Sequence, residues 1–336
     1  MKRGVEEMNY NLAIIGCGII SKYHARAAIN MPGVKLKAVA DVLFDKAVEL
    51  SKEFGSTPYA DYMEMLEKEH IDILIIATPP FLHKNITLEA AKRGIHIMCE
   101  KPMALNVAEC SEMIDATAAN GVKLMVLHPN KYYNEVVRAR EIIRSGIVGD
   151  LIMLEERYYF NYFKPNRPSW CFNKALAGGG VMLNIGTHTF DKIRFLTDSS
   201  VNSQQGSIGY HKDYDGIEGY GQVFFKLKNG VSAAATVNGY DNDFKAEMEC
   251  ICTKGKIIIK SFPGKISIYN NNTWEHEEIE QTKSHQLLML EDFIDCIERN
   301  REPWNNGEYG REIQGIVEKL YEENANRFSL DKPLFN

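Results

Sequence analysis

The chain lacks the features that would mark it for a membrane, a nucleic acid or an oxidising compartment. No apolar run approaches the ~20 residues needed to span a bilayer. Residues 1–10 are charged and have no apolar core, so a secretory signal is not expected there. Basic residues are outnumbered, 39 Lys and Arg against 45 Asp and Glu. The resulting net charge of −6 argues against broad nucleic-acid binding. The seven cysteines are odd in number and include no C-x-x-C. They read as reduced, mostly buried thiols of a cytoplasmic protein. Internal repeats and low-complexity linkers are absent too. What remains is an ordinary soluble composition over 336 residues, enough for two domains with their own cores.

The most informative segment is Gly16-Cys17-Gly18-Ile19-Ile20-Ser21. It follows an apolar run, residues 12–15, and opens onto an expected helix. Strand, glycine turn and helix start form a cradle for a pyrophosphate. Gly16 permits the tight turn, Gly18 lets the backbone approach the phosphates, and the helix start at Ile19 and Ile20 offers free N–H groups. A third glycine is missing, and Ser21 stands in its place. Asp41 follows a second apolar run about 20 residues on, where a carboxylate accepts hydrogen bonds from an adenosine ribose. That carboxylate repels a 2′-phosphate, so NAD is favoured. Lys46, one helical turn further, leaves NADP open.

Up to residue 127, apolar strand-like runs alternate with helix-like segments. Strands are expected at 12–15, 36–40, 71–77, 96–99 and 123–127, with helices between them. Such alternation predicts a doubly wound parallel sheet. After Pro129 the pattern changes. A helix over 135–145, a strand over 151–159, an aromatic loop over 160–170 and a helix over 181–196 precede strand after strand up to residue 279. Turns at Lys228-Asn229-Gly230, Lys254-Gly255 and Pro263-Gly264 separate these strands, predicting an antiparallel sheet. Two helices, 285–300 and 308–327, close the pattern. The boundaries drawn are 9–129 for a cofactor domain and 130–336 for a substrate and oligomerisation domain, the last helix being a candidate to pack back on the first.

Further chemistry collects at expected strand ends, where open α/β sheets bind ligands. Thr78-Pro79-Pro80 ends one strand, with His83 at the next helix start. Glu100-Lys101-Pro102 ends another. In the second domain runs Gly178-Gly179-Gly180, followed by Asn184, Gly186, His188 and Asp191. Asn184 and His188, four apart, are expected on one helix face. His188 and Asp191 have no third partner at metal-ligand spacing, so no metal site is expected. His24 is open between reaching the phosphates and a plain helix-face role, and His83 between the nicotinamide and a helix N-terminus.

In order and spacing, these segments resemble the Gfo/Idh/MocA family (glucose-fructose oxidoreductase, inositol dehydrogenase, rhizopine catabolism). The resemblance runs over nearly the whole chain. It implies an α/β fold with an N-terminal Rossmann domain and a C-terminal α+β domain carrying a large open antiparallel sheet. It also implies hydride transfer between NAD and a sugar, sugar derivative or cyclitol. The family's lysine falls on Lys101, with Glu100, Thr78, Pro79 and His83 near the cofactor. Inositol-dehydrogenase-like members pair a histidine with an Asp four residues earlier. Here Asn184 replaces that acid, so either His188 works without a carboxylate or Lys101 handles the proton. Asn130-Lys131-Tyr132 resembles an Asn-Arg-Tyr segment at the substrate cleft, Lys131 giving a point charge instead of a fork. Trp170 is a candidate pocket wall, and Asp191 is counted beside the substrate as a brace for its helix. The open sheet would expose much apolar surface, so a homodimer or homotetramer is expected through it. Two alternatives stay open. One is a nucleotide-sugar or deoxysugar enzyme, with Lys164 and Arg167 near the larger substrate. The other is a cofactor-sensing regulator without turnover.

Overall fold

A computed structural model describes residues 9–262 and 264–325, which divide into two units. The first comprises residues 9–104, 108–127 and 283–311, and the second residues 105–107, 128–282 and 312–325.

The first unit begins with β1 (Tyr10–Ile15), α1 (Ile19–Asn30), β2 (Val34–Ala40), α2 (Phe44–Phe54), β3 (Thr57–Tyr59) and α3 (Tyr62–Lys68). It continues through β4 (Ile73–Ile76), α4 (His83–Lys92), β5 (His96–Cys99), α5 (Val107–Ala119) and β6 (Leu124–Val126). The six strands are all parallel, in the order β3-β2-β1-β4-β5-β6. Every residue of β4 is buried, as a strand covered on both faces requires. The expected doubly wound sheet is therefore present. Strand order reverses between β1 and β4, and the carboxyl ends there form the crevice where such sheets take ligands. The short strand β3 lies at the edge, the place in a sheet that tolerates its Pro58.

In the second unit come α6 (Asn134–Ser145), β7 (Leu151–Asn161), α7 (Lys174–Ala177), a π-helical turn over Met182–Gly186 and α8 (Thr187–Thr197). Seven strands follow: β8 (Val201–Tyr210), β9 (Glu218–Leu227), β10 (Ser232–Asn238), β11 (Tyr240–Cys252), β12 (Gly255–Ser261), β13 (Gly264–Asn270) and β14 (Thr273–Glu278). Their sheet runs β14-β13-β12-β11-β7-β10-β9-β8. One pair departs from the expected antiparallel pattern: β7 and β10 are parallel. Two helices and a hairpin separate them in sequence, long enough for the crossover that parallel pairing needs. Along β9 buried and exposed residues alternate, so one sheet face is covered and the other is open.

The helices α9 (His285–Glu298) and α10 (Gly307–Asn324) follow. Residues 283–311, drawn from sequence with the second domain, return to the first unit. There α9 packs on α1, and Asn305 and Asn306 pair with the outer edge of β6, covering it. Among the described residues no helix is long and apolar enough to cross a membrane.

Candidate functional site

The glycine turn is built by steric necessity. Gly16 has φ +93°, and a Cβ there would meet the Ala77 carbonyl oxygen at 2.5 Å. No side chain fits. A Cβ on Gly18 would meet nothing within 4 Å, so the space over the turn is open. Gly18 caps α1 and, having no side chain, makes no side-chain capping hydrogen bond to it. The buried Ser21 hydroxyl donates to the Gly16 carbonyl, which fixes the turn where a third glycine is missing. Asp41, just past β2, locks the other side: its Oδ2 accepts from the Cys17 N–H at 2.8 Å and its Oδ1 from the Leu43 N–H at 2.8 Å. Each oxygen keeps a lone pair for a ribose hydroxyl. Burial pushes the Cys17 thiol up to about 12, so it stays protonated. Ile19 is exposed and Ile20 half-buried. Beside Asp41, Val42 is 85% exposed and Leu43 and Phe44 are also exposed, an apolar rim that glycine spacing could not reveal. The open cradle, glycine-capped helix start and ribose carboxylate fit an adenine dinucleotide.

At the ends of β4 and β5 the structure decides between readings left open. His83 is the first residue of α4, the helix N-terminus reading, and is fully buried. Its Nε2 lies 2.8 Å from the Thr78 carbonyl, and its Nδ1 3.1 and 3.3 Å from the Pro102 and Met103 carbonyls. The ring thus ties the Thr78-Pro79 loop to the segment after Lys101, and burial pushes its pKa down. His24 turns to Glu100. It is 1% exposed, and its Nε2 lies 2.9 Å from Glu100 Oε1. Burial raises the Glu100 pKa, but the His24 contact, the Lys101 charge and the Lys101 N–H outweigh it, leaving the carboxyl below its ordinary range. His285, on α9, joins the cluster: burial and the neighbouring His24 hold its pKa down at about 4, against the pull of Glu100. Lys101 is half-buried beside Glu100. The Thr78 hydroxyl is buried without a hydrogen-bond partner among the described residues, a polar group suited to a ligand at this strand end.

The second unit explains its glycine run. A Cβ on Gly179 would overlap the Tyr321 hydroxyl, and one on Gly180 would overlap the Glu218 carbonyl oxygen. The Glu218 carboxylate is fully buried there. It accepts from the N–H groups of Gly180, Met182 and Leu183 at 2.7, 2.9 and 3.3 Å and from the Tyr321 hydroxyl at 2.8 Å. These bonds anchor the π turn, which replaces the first part of the regular helix expected over 181–196. Asn184 and His188 are therefore not on one face of a straight α-helix: Asn184 lies in the π turn and His188 in the first turn of α8. From Val181 to Ile193, only Asn184, Ile185 and His188 reach the surface. Irregular turns of this type gather at functional sites.

Asn130 and Asp191, read from sequence as substrate contacts, hold each other and are both buried. Asn130 Nδ2 donates to Asp191 Oδ2 at 2.7 Å and to the His188 carbonyl at 2.8 Å, and Asn130 N to Asp191 Oδ2 at 3.2 Å. The pair fixes the backbone at His188. Lys131 is half-buried, its ammonium 5.3 Å from the Tyr132 ring centre. Trp170 is half-buried in the turn Ser169–Phe172. Glu218, Tyr321 and His285 escaped the sequence reading, because a lone acid, tyrosine or histidine has no spacing that announces a partner. Among the described residues no group of three or more His, Cys, Asp or Glu side chains is arranged to hold a metal ion.

Comparison with known proteins matches residues 10–128 to "Oxidoreductase family, NAD-binding Rossmann fold" and residues 136–258 to "GFO/IDH/MocA C-terminal domain". The chain belongs to the Gfo/Idh/MocA family. Scyllo-inositol 2-dehydrogenase (NAD(+)) of Bacillus subtilis is 26% identical over 312 residues, covering 88% of this chain and 89% of that protein. Levoglucosan dehydrogenase of Pseudarthrobacter phenanthrenivorans is 32% identical over 208 residues, 58% of this chain. The chain spans about half the length of that relative and of an uncharacterized oxidoreductase of Streptococcus pneumoniae, 53% and 56%. A solved levoglucosan dehydrogenase, in complex with NADH and L-sorbose, shares the fold with a TM-score of 0.86 at 22% identity, covering 95% of this chain and 97% of that one.

Proposed function

We propose that this Gfo/Idh/MocA protein is an NAD-dependent dehydrogenase acting on a CH–OH carbon of a sugar, sugar derivative or cyclitol. The observation that carries the reading is Asp41 locked to the Cys17 N–H at the foot of a turn whose Gly18 side is open. That arrangement suits a free ribose 2′-OH and opposes a 2′-phosphate, so NAD is the preferred cofactor over NADP. Relatives that act on levoglucosan and scyllo-inositol support the substrate class.

When bound, the nicotinamide supplies the hydride acceptor. Lys101 and His188 are the proposed proton-handling groups. As hydride leaves the carbon, its hydroxyl proton passes to one of these bases, and the C–O bond becomes a carbonyl. Asn184 orients the hydroxyl by hydrogen bonding. Asn130 and Asp191 position His188 through its backbone, while Lys131 and Trp170 contact the substrate. The seven free, buried cysteines suit a cytoplasmic setting. The open sheet face is the proposed homo-oligomer contact.

Purified protein with NAD and a panel of cyclitols, aldoses, uronates and nucleotide sugars tests this by absorbance of reduced nicotinamide. Turnover on at least one polyol, abolished in Lys101→Met while NADH binding persists, is expected. NADH binding with no turnover on any panel member would favour a sensor instead.

A further inference from the structure

The first unit contains a titratable cluster that the proposed chemistry does not use. His24 on α1 is in contact with Glu100 at the end of β5, and both act on His285 at the start of α9 through their charges. His24 is 1% exposed, and its Nε2 lies 2.9 Å from Glu100 Oε1. The other carboxylate oxygen, Oε2, accepts from the Lys101 backbone N–H at 3.2 Å. One carboxylate therefore bridges a buried ring and the residue that carries the ammonium. The charge of Lys101 in turn acts on Glu100.

We infer that His24 and Glu100 are positioning residues for Lys101, the ring clamping the carboxylate so that its charge holds the Lys101 side chain in place and raises its affinity for the proton it takes up and returns. A carboxylate free to rotate would share its charge with solvent. A clamped one keeps a fixed negative charge next to the lysine, offsetting the tendency of a cationic nicotinamide to drive the proton off. This inference rests on the reading of Lys101 as the acid–base group.

The other groups facing Glu100 do not supply that charge. From α4 comes His83, whose ring is engaged by three backbone carbonyls. From β5 comes the buried Cys99 thiol, which donates to the Glu100 carbonyl at 3.5 Å. From α9 comes His285, which burial and His24 keep from protonating near neutral pH. Glu100 is the one carboxylate among these groups.

The test reads Lys101 itself, without substrate. Lysines are converted to 13C-dimethyl-lysine, the Lys101 signal is assigned by its loss in Lys101→Arg, and its titration is followed by NMR. Glu100→Gln keeps the shape and removes the charge, so the Lys101 midpoint is expected to fall by about one pH unit. His24→Leu, which frees the carboxylate, is expected to lower it by a smaller amount. His24→Gln carries an amide donor to the same place and restores the wild-type midpoint. Unchanged midpoints in both Glu100→Gln and His24→Leu, with melting curves showing folded protein, would overturn the inference. NADH binding, followed by its fluorescence, is measured alongside. Wild-type protein that fails to bind NADH sinks the proposed function, whereas the Lys101 titration decides the clamp separately.

Discussion

Asp41 combines two tasks in one carboxylate. It accepts the Cys17 and Leu43 N–H groups, which sets the loop, and it presents negative charge where a ribose would lie. Any substitution disturbs the loop for both cofactors alike, so the informative quantity is their ratio. Asp41→Asn is expected to weaken NADH binding about tenfold or more and to narrow the NADH:NADPH preference, because the repulsion of a 2′-phosphate is gone. Titration of both reduced cofactors by fluorescence checks it; an unchanged ratio would remove Asp41 from the selectivity argument. His285 makes a separate prediction. Its pKa is about 4 in the fold, below the ordinary 6.5, so the unfolded chain binds the proton more tightly. Stability from this group is fully present above pH 6.5 and is lost as pH falls from there towards 4, by roughly 1–3 kcal/mol. His285→Gln should therefore flatten the fall in melting temperature between pH 7 and pH 5. A slope matching wild type would show that the histidine is not held neutral.

At the level of elements, the helix bearing Asn184 and His188 depends on a carboxylate at its start. Glu218 accepts three backbone N–H groups and a tyrosine hydroxyl while wholly buried. Glu218→Gln places an NH2 group against N–H donors in a site closed to water, costing about 2–4 kcal/mol. Thermal melting checks the loss, and hydrogen exchange should quicken over residues 180–188. Slow exchange there would mean that the turn holds itself. The sequence exposed some of this arrangement and hid the rest. The buried run of β4 and the Gly16–Gly18 turn were legible because burial on both faces and positive φ each demand particular residue types. Glu218 was not, because nothing near Ile217-Glu218-Gly219 indicates that the acid meets residues 180–183. The π turn was equally hidden, since one extra residue in a helical turn leaves the apolar pattern of 181–196 almost unchanged. His24 and His83 were seen, but their partners, Glu100 and three backbone carbonyls, were not. A histidine near a strand end reads the same whether it faces a ligand or a carbonyl. The last helix was the candidate to pack back on the first domain, whereas residues 283–311, α9 and only the start of α10, belong to the first unit, because an amphipathic helix shows which face is apolar and not which core it meets.

For the whole molecule, the open face of the eight-stranded sheet is the surface proposed above to meet a further copy of the chain. The sequence led to an expectation of broad apolar exposure, and the structure gives a mixed surface. Phe224 is 66% exposed and Trp274 41%, with Tyr220 and Met153 also uncovered. Between them lie ion pairs across neighbouring strands, Arg157–Glu247 at 3.3 Å and Lys256–Glu249 at 2.8 Å. The physical cause is alternation: among the outward positions, Glu247 of β11 lies opposite Arg157 of β7 and Lys260 of β12, and Lys256 reaches Glu249 diagonally. Contact between copies on such a face would combine aromatic anchors with a charged surround, the pattern of many interfaces. Sedimentation at micromolar concentration is expected to show a dimer or tetramer, and Phe224→Glu to shift it towards monomer by placing an unpaired charge among the anchors. The variant should keep its NADH affinity, because the glycine turn and Asp41 belong to the other unit. Wild-type protein sedimenting as a monomer throughout the concentration range would show that these aromatic and ionic side chains face water.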